Sequence, residues 1–278
     1  MKSVLKRDKT LAFFFALILV FNLVIANPLF SFKSSASMET ETESQSEGFE
    51  FGNANTYFDM ERAIKPGGSM TFEAVTTLPE NSNASRLGWL IGNWESYDLE
   101  SNSFGIEFQA NRVIRLFLCS GKKVNTSIQF DLPEENSPGT YRKICFVMNV
   151  NGDVSFYVDD VHIGTKNTTF VTGSNYYNQV TPIRIGGDLR SGNSWYLRDL
   201  KVKSIAMYKG VPSADATDSS KITTEGLDAM FSYDLTDTSI TGYITDLSGN
   251  NNNAINPNTY KGSMSPEGYT FKIGRAHV

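Results

Sequence analysis

Two cysteines and two histidines in 278 residues leave little material for metal, redox or nucleophilic chemistry. Cys119 and Cys145 cannot build a zinc site, because neither has a histidine near it. Both lie in apolar, strand-like runs, Ile114–Cys119 and Ile144–Val150, so a disulfide and a pair of buried thiols are both open. No G-x-S-x-G elbow is present, and His162, beside Val161, reads as a surface or core-edge histidine rather than a base. Walker and dinucleotide glycine patterns are absent as well. Charged residues make up 20% of the chain and the net charge is −5, so no basic field points to nucleic acid. Beyond residue 40 there is no helical period of useful length.

What the chain does have is aromatic, strand-forming sequence: 19 Phe and 12 Tyr. Its clearest stretch runs from Gly152 to Asp188. Val154, Phe156 and Val158 alternate with Ser155, Tyr157 and Asp159, the period of a strand buried on one face. Asp159-Asp160 then predicts a turn, Val161–Gly164 a return strand, and Ile183–Ile185 a strand stopped by Gly186-Gly187. Further strands are predicted over 69–75, 88–94, 104–108, 113–119, 140–150 and 195–208, with a hairpin about Ala110-Asn111. Leu200 and Val202 share one parity while Ile205 and Met207 share the other, which predicts a bulge near Lys203-Ser204. Strands separated by turns with no helices between them predict an all-β, antiparallel β-sandwich.

The ends read differently. Lys2, Lys6, Arg7 and Lys9 precede an apolar run from Leu11 to Ala26, the layout of a secretory signal peptide over 1–36, with Val24-Ile25-Ala26 or, the better fit, Ser34-Ser35-Ala36 as its cleavage site. Asn22 interrupts a run already short for a membrane span. Residues 37–48 are acidic and polar, so a disordered spacer is expected. Residues 214–224 are rich in Ser, Thr and Asp and read as a linker. Ile273–Val278 matches the translation of a sequencing-library adapter, so a native frame longer than this one is expected.

The order Phe49–Met60, Met70–Val75, Thr140–Val150, Gly152–Asp188 and Trp195–Tyr208 resembles the laminin G-like branch of the concanavalin A-like lectin and glucanase superfamily. That resemblance covers 49–213 and implies a jelly-roll sandwich, with Tyr141 where the family usually has Trp. Gly226–Asp234 and Asp246–Ala254 are similar to the opening of another such domain, so 225–272 is either the start of a second domain or an edge strand of the first.

Related sandwiches include β-glucanases, whose paired carboxylates share one strand face about 5–5.5 Å apart in retaining enzymes. The nearest candidate here, Glu95, Asp98 and Glu100, is out of phase and reads as a loop, so the region present is expected to be non-catalytic. Sugar binding fits better, since apolar sugar faces stack on aromatic rings while Asp and Asn bond the hydroxyls. The candidates are Trp94, Tyr97, Tyr176, Tyr177 and Trp195, with Asn93, Asp98 and Asp188 beside them. The resemblance also implies calcium as a possible cofactor, with oxygen ligands available at Asp188, Asn193, Asp159 and Asp160. The expected protein is a secreted or cell-surface recognition module for a glycan or surface polymer, touching membrane only through its N-terminal segment before cleavage. The alternatives are an accessory domain of an extracellular glycosidase or metallophosphoesterase, and a structural adhesion protein. Asn83, Asn125 and Asn167 begin sequons.

Overall fold

The computed structural model describes residues 47–52, 56–64, 68–79, 86–93, 103–120, 124–134, 139–168, 183–189, 196–215, 217–237 and 242–259, with backbone alone at 86, 103, 119, 120 and 124–126. The expected signal peptide, nearly all of the expected acidic spacer and the adapter-like tail lie outside these residues. The described part belongs to one unit, 46–278. In chain order its strands are β1 Phe49–Phe51, β2 Phe58–Met60, β3 Met70–Thr77, β4 Arg86–Gly92, β5 Ser103–Gln109 and β6 Val113–Ser120. They continue with β7 Val124–Asp131, β8 Tyr141–Met148, β9 Asp153–Val158, β10 Val161–Asn167, β11 Arg184–Ile185 and β12 Leu200–Lys209. The last are β13 Ser213–Ala214, β14 Ile222–Thr223, β15 Ala229–Asp234, β16 Tyr243–Ile244 and β17 Ala254–Ile255.

These strands make the all-β antiparallel sandwich that the alternating pattern predicts. One sheet has the order β1-β12-β3-β8-β9-β10, with β15 also on β12; the other runs β16-β17-β2-β11-β4-β5-β6-β7. Period-2 alternation turns one parity of each strand to a shared core. Phe72 of β3 meets Phe104 of β5 with ring centres 6.3 Å apart, and Phe130 of β7 meets Phe156 of β9 at 5.3 Å. Rings from both sheets interdigitate, each burial worth roughly 1.5–3 kcal/mol.

Local chemistry places the turns where the sequence predicts them. Asp159 (φ 48°) and Asp160 (φ 66°) make a two-residue turn of the left-handed kind that joins β9 to β10. Asn111 (φ 59°) turns the chain between β5 and β6. The β12–β3 register shifts between Val202 and Ser204, the predicted bulge. Gly186 (φ 79°) follows β11 where a Cβ would stand 2.3 Å from the Phe51 ring, so only glycine fits there. The Tyr141 hydroxyl accepts from Gly48 N–H at 2.7 Å. The spacer thus ends inside the fold.

Two segments are more tightly incorporated than their composition suggests. Where a linker was expected, β13 and β14 pair with each other, Lys221 bridges to Val161, and Thr224 Oγ1 donates to Glu73 Oε2 at 3.2 Å. Cys145, of opposite parity to Ile144 and Phe146, is a free buried thiol opposite Glu73, so no disulfide joins it to Cys119. Over 225–256, β15 adds to β12 and β17 adds to β2, so this segment supplies strands to both sheets. Asp246 ties it down by accepting from the N–H groups of Ser232, Ser248 and Asn252 at 2.9, 3.0 and 3.0 Å. The D-x-S-G-N sequence is therefore a backbone-holding knot.

Candidate functional site

The sequence candidates separate into three groups. Trp94, Tyr97, Asp98, Tyr176, Tyr177, Asn193 and Trp195 lie outside the described residues. Gly92 pairs with Arg184, so the chain leaves β4 through Asn93 and enters β11 through Ile183 at the same end of the larger sheet. Asn93 itself is 1% exposed, and its side-chain oxygen accepts from Phe104 N–H at 2.8 Å, which makes it a clamp on β5 rather than a surface contact. Asp188 is 2% exposed at the opposite end of β11, and its backbone carbonyl accepts from Arg184 at 3.1 Å.

Asp159 and Asp160 are on the other sheet. Asp159 pairs with Arg142 and accepts from Lys143 N–H at 2.9 Å, while Asp160 pairs with Lys143 Nζ at 2.7 Å. The three described calcium candidates are thus not one cluster: Asp159 and Asp160 are held by cations, and Asp188 follows β11 of the other sheet. Among the described residues no three His, Cys, Asp or Glu side chains are grouped to hold a metal. His162 is exposed on β10, its Nε2 2.9 Å from Thr165 Oγ1 and its ring against Tyr157.

A different set is brought together on the outer face of the larger sheet. In β2, Phe58 and Met60 enter the core, so Tyr57 and Asp59 have the outward parity. Arg184 is the register partner of Asp59 and holds it through Nε and a terminal nitrogen at 2.6 and 2.9 Å. The guanidinium lies 3.8 Å from the Tyr57 ring centre, and Tyr57 stacks on Tyr196 at 5.5 Å with planes 21° apart. Burial opposes the charge on Arg184, but its hydrogen bonds to Asp59 outweigh that and raise its pKa, so it stays cationic.

Next to this group the sheet carries a second one. Trp89 is 2% exposed and lies flat over Gly105, where a Cβ would be 1.9 Å from the indole. Phe117 packs against it with centres 5.6 Å apart, and Arg115 covers Phe117 at 4.3 Å while pairing with the buried Glu107. A parallel bridge from Trp89 to Tyr196 joins the two groups. The result is a face of flat rings and fixed hydrogen-bonding groups. The signal for it was present as parity in Thr56–Met60, where Tyr57 alternates with Phe58.

No family model matches the chain, and no curated protein sequence matches it. Solved structures do. The carbohydrate-binding module CBM40 of the Ruminococcus gnavus IT-sialidase aligns at 15% identity and TM-score 0.47, over 60% of this chain and 92% of that one. The NanB sialidase from Streptococcus pneumoniae aligns at 15% and 0.44, over 59% of this chain, and the match takes in 26% of the sialidase's own length. A heptameric SAP-like pentraxin from Limulus polyphemus aligns at 13% and 0.41, over 59% of this chain and 76% of that one.

Proposed function

We propose that this chain is a non-catalytic, exported recognition module that binds carbohydrate on the outer face of its larger sheet. The observation that carries the reading is the Tyr57–Tyr196 stack backed by Arg184, two partly exposed rings, one on the residue that precedes β2 and one on a residue bridged to Trp89 of β4. An aromatic face offers the C–H face of a sugar a flat apolar partner, and the two phenol hydroxyls supply hydrogen bonds at its edge. Because Asp59 and the sheet already fix Arg184 and Tyr57, little side-chain freedom is lost on binding.

The test is a glycan array probed with the purified chain, followed by titration of the best ligand against Tyr57→Ala and Tyr196→Ala. Each substitution is expected to weaken binding by about tenfold or more, with the fold intact by circular dichroism. An empty array, or affinity indifferent to both substitutions, removes this reading. Export is tested separately, by following a tagged chain into the medium or onto the cell surface.

A further inference from the structure

Among the described residues, a pocket of about 280 Å³ lies apart from that sheet face. It opens where the end of β2, the end of β12 and the 225–256 segment meet, and Arg62, Ile64, Lys209, Met230, Asn250 and Asn252 are among its lining. Ile64 and Met230 are 6% and 7% exposed and form an apolar floor. The rim is cationic in a chain whose net charge is −5, and among the described residues no carboxylate is in the lining. The adjacent Glu61 is turned to Asn253, whose Nδ2 donates to it at 3.4 Å.

The pocket is held from both sides. Arg62 N–H donates to Asn252 Oδ1 at 2.8 Å and Arg62 C=O accepts from Asn252 Nδ2 at 3.3 Å. Lys209 N–H donates to the Asp228 carbonyl at 2.9 Å. Asn250 Nδ2 donates to the carbonyls of Ala229 and Met230 at 2.8 and 3.2 Å, leaving its own side-chain oxygen to accept. The backbones under both cations are thus fixed, while Arg115, Arg142, Lys143 and Arg184 are all ion-paired elsewhere. Among the described residues the side chains of Arg62 and Lys209 have no such partner.

We infer that this pocket binds the carboxylate-bearing sugar residue of an acidic glycan, an inference that rests on the carbohydrate reading above. A guanidinium fork and an ammonium suit a carboxylate, the Asn250 oxygen suits a hydroxyl, and the Ile64–Met230 floor suits the ring's C–H face. The volume falls just below the roughly 300–1,000 Å³ of drug-sized sites, which fits one sugar residue rather than a chain.

The experiment titrates the full chain with glucuronic acid, with glucose as the neutral control and inorganic sulfate as the competitor, then repeats it on Arg62→Gln/Lys209→Gln. Both side chains are exposed, so the double variant is expected to fold normally. Glucuronate should bind, glucose should bind about tenfold more weakly or not at all, and the double variant should lose the difference. Glucuronate binding equal to glucose, or unchanged in the double variant, overturns the inference. Sulfate competing as strongly as glucuronate reduces the site to a simple anion patch and overturns its sugar specificity. If neutral glycans still bind in a Tyr57-dependent way while glucuronate fails, the pocket falls alone; if neither site binds any sugar, the carbohydrate reading falls with it.

Discussion

Arg184 lies with its guanidinium 3.8 Å from the centre of the Tyr57 ring, between that ring and the Asp59 carboxylate it holds at 2.6 and 2.9 Å. Charge alone does not reproduce this arrangement. Lysine has no planar fork to grip both carboxylate oxygens and no flat surface to lie on a ring. Arg184→Lys is therefore expected to lower stability by about 1–2 kcal/mol and to loosen Tyr57, with a loss of glycan affinity of about tenfold. Urea unfolding and titration of the same preparation measure the two effects. A variant unchanged in both shows that Arg184 does not support Tyr57.

Trp89 and Gly105 make a second such dependence. The indole occupies the space a Cβ at Gly105 would need, with its nearest ring atom 1.9 Å from that position. Gly105→Ala must push Trp89 outward, away from Phe117, and the overpacking is expected to cost about 1–3 kcal/mol. Red-shifted tryptophan emission and a lower thermal midpoint would report the displacement. Unaltered emission together with an unaltered midpoint would show that the strand moves instead of the ring.

Much of the architecture can be read from the sequence, because one face of most strands is buried and burial enforces alternation. Asp153–Val158 shows this directly, with Val154, Phe156 and Val158 all buried. The turns at Asn111 and Asp159-Asp160 are readable because few residues tolerate positive φ. Strand β7 goes unread, since its first half, Val124–Ser127, has no apolar alternation; among its described side chains Ile128 and Phe130 enter the core. Pairing partners far apart in sequence are not readable either. Ala254 against Met60 and Phe231 against Met207 follow from a three-dimensional fit that periodicity does not encode. The aromatic face was missed for a related reason: rings in strand-like sequence look like core, while rings in polar loops look like ligand contacts.

The knot at Asp246 tests whether the 225–256 segment is integral to the sandwich. Asp246 is 6% exposed, accepts from three backbone N–H groups, and also takes the Ser248 hydroxyl at 2.8 Å. Asp246→Ala leaves those donors unpaired in a buried setting, a cost of about 3 kcal/mol or more. Amide exchange should accelerate along β15 and β17 and spread to their neighbours β12 and β2. Exchange confined to 242–256, with β12 and β2 still protected, would show that the segment is an appendage whose loss the sandwich tolerates.

Cys145 sets how the fold responds to alkali. Burial, together with the nearby Glu73 carboxylate, pushes its thiol pKa far above the ordinary cysteine range, so the folded protein keeps the proton. In the unfolded chain the same thiol ionises near about 8.5. An acid whose folded pKa stands above its unfolded value contributes stability that is fully present below the unfolded pKa and is lost as pH rises. From about pH 8.5 upward the unfolded state therefore binds one proton fewer than the folded state, and stability should fall by about 1.4 kcal/mol per pH unit from this group. Cys119 is common to the wild type and to Cys145→Ala, so the difference between their slopes isolates Cys145. The variant should be less stable near neutrality, from the small cavity it leaves, yet flatter between about pH 8.5 and 10. Parallel slopes across that window would mean that the Cys145 thiol reaches solvent and ionises in the folded protein.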